Sequence, residues 1–299
     1  MERAYLERIH AHFPDLVVDE VQRSDEGLVN DVFIVNRQRV FRFPKHEWAK
    51  HDLQEEAKML ALARRYVDLC LPHFDVCAEE MASYALIPGE ALLRDDILRQ
   101  DEAAQEAIAA TLGSFLRQLH AVPEAELEAN AIRDSVTERS RADWLQLYED
   151  VREKLYPLLM SDSKEWVRRL FAPVLADCDF MQVEERVFVN GDLAPYHILC
   201  DREAGRINGI IDFGTAGLGD PAVDFACIIG NYGESFLQRM ATYYPAITRH
   251  VERARFRAGA LELEWLLGGF GTQDPSWFPV HIGRARDVWP LGSGWHGRK

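Results

Sequence analysis

No stretch of about 18 apolar residues occurs in the chain, so no membrane-spanning helix is expected. The opening MERAYLERIHAHF lacks the long apolar core of a secretory signal, and the expectation is a soluble, cytoplasmic protein. Cysteine is scarce. Cys70, Cys77, Cys178, Cys200 and Cys227 are odd in number, never fall in a CxxC spacing and sit mostly inside apolar runs. That pattern gives no support to a zinc site and predicts reduced core thiols. Basic charge is in deficit as well: 34 Lys and Arg against 49 Asp and Glu leave a net charge of −15. Such a surface repels nucleic acid and anionic membrane, and draws cationic small molecules into an acidic cleft. Internal repeats, low-complexity segments and a GxGxxG loop are also missing.

What the chain does have is the apolar content of a globular protein, 47% over 299 residues, enough for one large core or two modest ones. Its two parts differ in texture. Up to about Leu86, short strands surround one helix. VQRSDEGLVNDVFIVNRQRVFRFPK carries β-rich runs from Asn30 to Val35 and from Arg39 to Phe43, joined by NRQ, which reads as a hairpin. A stripe of Leu53, Ala57, Leu60, Ala61 and Leu62 predicts a helix, and YALI predicts a strand stopped by Pro88-Gly89, a breaker pair suited to a linker. Beyond Gly89 the period is helical. It is clearest at Ala104, Ile108, Leu112, Phe115, Leu116 and Leu119, and further helices are expected over Arg139 to Leu159, Ser163 to Cys178 and Asp224 to about Phe270. The last residues, PLGSGWHGRK, read as a loose tail. These observations predict an α+β fold of two lobes, a small β-rich one over residues 1–87 and a larger, mainly helical one over 88–299.

VFVNGDLAPYHILCD, Val187 to Asp201, admits two readings. Asn190-Gly191 between apolar runs signals a type I′ turn, which would make the stretch two strands and a turn. Farther on, HILCD, REAGR and INGIIDFG read as strand, turn and strand. A turn near Ala204 sets His197 opposite Ile211 or Asp212. Asp192 precedes the first strand on a loop broken by Pro195, so three polar side chains converge. That is an odd way to fill a core and a reasonable way to hold a metal-bound phosphate.

NGDLAPYHIL, IIDFG and GDPAVDFA resemble the aminoglycoside phosphotransferase family, small-molecule kinases of protein-kinase-like fold whose pattern is HGDxxxxN, IDxx and GDPxxD. GNYGESF and ALELEWLLGGFG look most like the subgroup acting on the 2″ hydroxyl. The resemblance implies a nucleotide-dependent phosphotransferase in which Asp192 accepts or orients the proton of the attacking hydroxyl. Asp212, on the Asp-Phe-Gly position, is implied as a ligand of Mg²⁺ bridging the phosphates of ATP or GTP. His197 stands where the family usually has Asn; it is either a second metal ligand or a partner only for Asp212 or a water. Asn190 replaces the usual His, and its amide can donate and accept the same hydrogen bonds.

The nucleotide site is expected in the first lobe. VFRFPK aligns with the strand carrying the phosphate-contacting Lys, and Glu56 with the helix glutamate that pairs with it. Arg42 stands in the Lys position, with Lys45 as the alternative. Ser24 and backbone amides around Gly27 would cover the phosphates, and backbone groups of Ala85, Leu86 and Ile87 would read the base. For a cationic acceptor the candidate carboxylates are Glu234, Glu262 and Glu264, with Trp265 as a flat wall. The alternative is an ordinary amphipathic helix with Trp265 in the core. Asp220 and Asp224 are expected to cap the next helix and tie the catalytic loop, and His120 to be buried and hydrogen-bonded. DPSWFPVHIG, Asp274 to Gly283, lines the acceptor cleft or packs as a loop. The expected protein is a monomer acting on a small cationic molecule, with neither nucleic acid nor membrane as partner. Two readings compete with it: the same chemistry on a macrolide or other small alcohol, and a catalytically silent nucleotide-binding module.

Overall fold

The computed structural model describes residues 3–24 and 29–272. Its first part is helix α1 (Arg3–His12) and a five-stranded antiparallel sheet of β1 (Val21–Ser24), β2 (Asn30–Val35), β3 (Arg39–Pro44), β4 (Val76–Ala78) and β5 (Met81–Ala85), in the order β1-β2-β3-β5-β4. The β2–β3 hairpin forms where expected. Asn36 and Arg37 both take φ +53°, as a primed turn requires, and the Asn36 amide is fixed by bonds to Asp19, Glu20 and Val17. Alternation along the strands sends Phe33, Phe41 and Phe43 against Tyr5 and Ile9 of α1, and Arg42 to the opposite face. On that face lies α2 (Glu47–Ala63), whose buried side chains include Leu53, Glu56, Met59, Leu60 and Leu62, while Ala61 of the expected stripe is exposed.

Pro88 and Gly89 lead into β6 (Glu90–Ala91), which pairs with β8 (Ile198–Asp201) and through it with β9 (Arg206–Ile210). Around this small sheet pack α3 (Arg94–Arg99), α4 (Glu102–His120), α5 (Glu124–Ala129), α6 (Arg141–Asp150), α7 (Ser161–Ala176), α8 (Ala222–Tyr232), α9 (Glu234–Ala241) and α10 (Ile247–Thr272). Asp101 caps α4 by accepting from Ala104 N, and the buried face of α4 contains Ile108, Leu112, Phe115, Leu116 and Leu119. The helix expected from Arg139 starts at a Ser140–Asp143 capping box and loosens into a π turn over Val151–Leu155. The main core joins α4 to β8, β9, Phe213, α8 and α9; a second joins α6, α7 and α10 through Trp144, Phe171 and Phe256. Of the expected core thiols only Cys200 and Cys227 are buried. Cys70, in an isolated bridge to Gly209, and Cys178, two residues beyond α7, are exposed, and all five are free. Among the described residues no helix is long and apolar enough to cross a membrane.

Candidate active site

The site is built on a loop fastened from below. Strand β7 (Val187–Val189) does not pair with β8. It pairs with β10 (Gly217–Gly219), so Asn190-Gly191 is no hairpin turn. The fully buried Asp224 of α8 accepts from the N–H of Asn190 at 3.1 Å, the N–H of Gly191 at 2.7 Å and His120 Nε2 at 2.9 Å. Gly191 takes φ +82°, and a Cβ there would meet Thr215 Oγ1 at 3.2 Å. The Asn190 amide then works in both directions, donating to the Asp212 carbonyl at 2.9 Å and accepting from Asp192 N at 2.9 Å. These are the bonds expected of an amide in the usual His position. Asp220 accepts from Ala222 N and holds Arg253 by two bonds, so the cap and tether expected of the two aspartates are both present.

On this base Asp192, His197 and Asp212 converge. Ile198 pairs with Ile210, and Ile211 N donates to the His197 carbonyl at 2.8 Å, the register expected from the turn near Ala204. His197 Nδ1 lies 2.8 Å from the Asp192 carbonyl; a carbonyl only accepts, so Nδ1 carries the proton. In the neutral ring Nε2 therefore offers a lone pair, 3.5 Å from Asp212 Oδ2. Asp212 sits at φ +65° and spends Oδ1 on Gly214 N at 3.0 Å, which leaves Oδ2 facing the imidazole. A carboxylate oxygen and an imidazole nitrogen aimed at one point fit a divalent cation whose other ligands are phosphate and water oxygens. Burial raises the Asp212 carboxyl, but Arg42 and then His197 outweigh it and hold the group below the ordinary carboxylate range. Asp192 moves the other way. Burial and then Asp212 raise it, against His197.

The nucleotide side meets the same turn. Arg42 Nη1 donates to Glu56 Oε1 at 2.7 Å, and that oxygen also accepts from Phe213 N at 3.2 Å. Burial works against the charge of Arg42, yet Glu56 and Asp212 raise its pKa, so the guanidinium stays protonated. Lys45, the alternative, has an acidic neighbour of its own. Its Nζ is 3.9 Å from Asp31, whose carboxylate accepts from Tyr5 of α1, on the other side of the sheet. Ser24 ends β1, half-buried; Gly27 lies outside the described residues. Leu86 N bonds Gln38 O at 2.7 Å, so Ala85, one residue back and paired with Arg39, turns its N–H and C=O away from β3. Ile87 is buried and lies against Gly209.

The acceptor side differs from expectation. Glu234 is buried, and its two oxygens take Arg255 Nε at 2.8 Å and Nη2 at 2.6 Å, so it is not a free carboxylate. Glu262 is buried at 8% exposure while Trp265, three residues on, is 36% exposed. A three-residue step leaves the two about 60° apart, which spans the edge of the buried face. Trp265 is not in the core either. Glu264 is half-buried, 3.7 Å from Arg139 Nε, and burial raises its pKa. Asp274 to Gly283 lie outside the described residues.

The model of the phosphotransferase enzyme family matches residues 20–258. The chain belongs to this family. As a phosphotransferase-family protein it is 33% identical to viomycin phosphotransferase of Streptomyces vinaceus over 156 residues, 52% of this chain, and the match spans about half the length of that relative. Among solved structures, the GDP and kanamycin complex of APH(2″)-IIIa has a TM-score of 0.83 at 23% identity, covering 96% of this chain and 98% of that one. A macrolide 2′-phosphotransferase from Brachybacterium faecium has a TM-score of 0.69 at 22% identity, covering 95% and 98%. At such identities the likeness speaks for the fold, an antiparallel N-lobe on a helical C-lobe of protein-kinase-like kind. Several groups that hold the candidate site were invisible to motif reading: Arg255 on Glu234, Arg253 on Asp220, and the segment around Arg133 and Ser135 that lies on residues 214–218. None has a local spacing that would announce it.

Proposed function

We propose that the protein transfers the γ-phosphoryl group of ATP or GTP to a hydroxyl of a small molecule, with an aminoglycoside as the favoured acceptor. The observation that carries this is the convergence of Asp192, His197 and Asp212 under the Arg42–Glu56 pair. In the proposed step the acceptor oxygen attacks the γ-phosphorus, the bond to the β-phosphate oxygen breaks, and the hydroxyl proton passes to Asp192 or from it to solvent. Asp212 and His197 would hold Mg²⁺, which when bound neutralises charge on the β- and γ-phosphate oxygens. Arg42, set by Glu56, would contact phosphate, with Ser24 and the segment containing Gly27 above it. The backbone groups that Ala85 turns away from β3, with those of Leu86 and Ile87, would read the base. Residues 1–87 would form the nucleotide lobe and 88–299 the catalytic and acceptor lobe. We place this chemistry in a cytoplasmic monomer.

For the acceptor, Glu262, Glu264 and Trp265 remain the binding candidates, while the Glu234–Arg255 pair removes one carboxylate from that list. This last observation favours, as a second reading, an acceptor with fewer ammonium groups, such as a macrolide. Purified protein with Mg²⁺ and ATP or GTP, offered aminoglycosides and macrolides beside an Asp192→Ala control, tests both. Transfer to an aminoglycoside that is lost in the control is the expected result. Transfer to macrolides alone would replace the first reading by the second. Nucleotide binding without transfer to any acceptor would leave a silent module.

A further inference from the structure

Arg133 lies between α5 and α6, in a segment that carries no recognised motif, and it touches both lobes. Its Nη1 donates to Asp52 Oδ1 of α2 at 3.3 Å, and its Nη2 donates to the Gly214 carbonyl at 2.9 Å. One helical turn beyond Asp52, Glu56 accepts from Phe213 N. Helix α2 therefore grips the Asp212–Gly214 turn twice, through Glu56 on the 212–213 peptide and through Arg133 on the 214–215 peptide. The Gly214 residue is held at both ends, its N–H by Asp212 Oδ1 and its carbonyl by Arg133. Asp212 is in the left-handed region, which an L-residue keeps only where the surroundings over-determine it. The segment carrying Arg133 is itself braced on the strand that follows. Leu218 N donates to Arg133 O at 2.9 Å, Ser135 N to Leu218 O at 3.0 Å, and Ser135 Oγ to Thr215 O at 2.8 Å. A Cβ on Gly217 would lie 2.6 Å from both Arg133 O and Ser135 N, so only glycine admits this approach.

We propose that Arg133 is a positioning residue of the phosphotransfer site: it joins α2 to the Asp212–Gly214 turn and so keeps the Asp212 carboxylate in one geometry with the Arg42–Glu56 pair. The guanidinium suits this task because its planar fork serves a carboxylate and a carbonyl at once, which an ammonium on a flexible stem does less well. Since Asp52 belongs to the N-lobe helix and Gly214 to the turn below it, the link also makes the setting of Asp212 depend on how the lobes lie. The kinetic part of this inference rests on the proposed function; the structural part does not.

Amide hydrogen exchange of the full chain, without nucleotide or acceptor, reads the structural part. Arg133→Ala is expected to speed exchange over residues 212–218 while α4 and α8 exchange as in the parent. Asp52→Asn is expected to give a weaker change of the same kind and to add nothing on the Arg133→Ala background. In turnover assays Arg133→Ala should lower kcat about tenfold or more with the acceptor KM within twofold, and Arg133→Lys should recover part of the loss. Unchanged exchange over 212–218, or exchange raised equally throughout the C-lobe, would overturn the proposal. If the parent protein transfers phosphate to no acceptor, the proposed function fails and the exchange measurement alone decides the role of Arg133.

Discussion

Burial raises the carboxyl of Asp192 above the ordinary aspartate range, and the Asp212 charge adds to the shift while His197 opposes it. Only the ionised form can take the proton of an acceptor hydroxyl, so kcat/KM should fall as pH drops through this raised value. A pH profile should place its acid limb above the ordinary aspartate value of about 3.9. The same shift has a cost in stability. Below both pKa values Asp192 is protonated folded or unfolded and contributes nothing. As pH rises from the ordinary aspartate value towards the raised folded value, the unfolded chain gives up its proton first and the fold is penalised, fully so above the folded value. Asp192→Asn should therefore abolish turnover yet melt at or above the parent Tm at neutral pH; a clear fall in Tm would contradict this account. His197 carries a second expectation. Imidazole nitrogen suits Mn²⁺ better than Mg²⁺, so His197→Asn should lower the ratio of Mn²⁺-supported to Mg²⁺-supported activity. An unchanged ratio would mean that His197 only orients Asp212.

At the scale of elements, the loop from Asn190 to Asp192 owes its shape to α8. Asp224→Ala would leave two backbone N–H groups and His120 without their acceptor in the core, at a cost of about 3 kcal/mol or more, visible as a lower urea midpoint at unchanged slope. A midpoint shift that, multiplied by the slope, amounts to less than about 1 kcal/mol would show that the loop is held some other way. Much of this layer was legible before any coordinates. Hairpin β2–β3, the apolar stripe of α4 and the pairing that sets His197 opposite Ile211 all follow from local period and turn residues, which act over a few positions. The pairing of β7 with β10 was not legible, because a three-residue strand carries no period and its partner lies far along the chain. Nor was the fate of Glu234. A carboxylate at a helix start looks the same in sequence whether it waits for a ligand or is already closed by Arg255, and the arginine that decides it sits on another helix. The convergence of Asp192, His197 and Asp212 was readable because these residues are packed into two short stretches, whereas the Glu234–Arg255 contact joins two separate helices.

For the whole molecule, the charge of −15 bears on how a charged acceptor would arrive. An aminoglycoside with several ammonium groups would be drawn by the long-range field. A macrolide with a single amine feels little of that field. Salt distinguishes the two, since raising ionic strength from about 0.05 to 0.5 M shortens the screening length from roughly 14 Å to 4 Å. The carboxylates at issue are held differently. Glu234 is closed by Arg255, Glu264 is half-buried near Arg139, and burial raises the Glu264 pKa. If aminoglycosides are the acceptors, KM should rise several-fold over this salt range while kcat stays within about twofold, because the Asp192, His197 and Asp212 cluster is short-ranged and partly screened from solvent already. If the acceptor carries one charge or none, KM should hold nearly constant across the same series. A salt-independent KM for kanamycin-like substrates would mean that the acidic surface serves solubility alone and that recognition rests on neutral contacts such as Trp265.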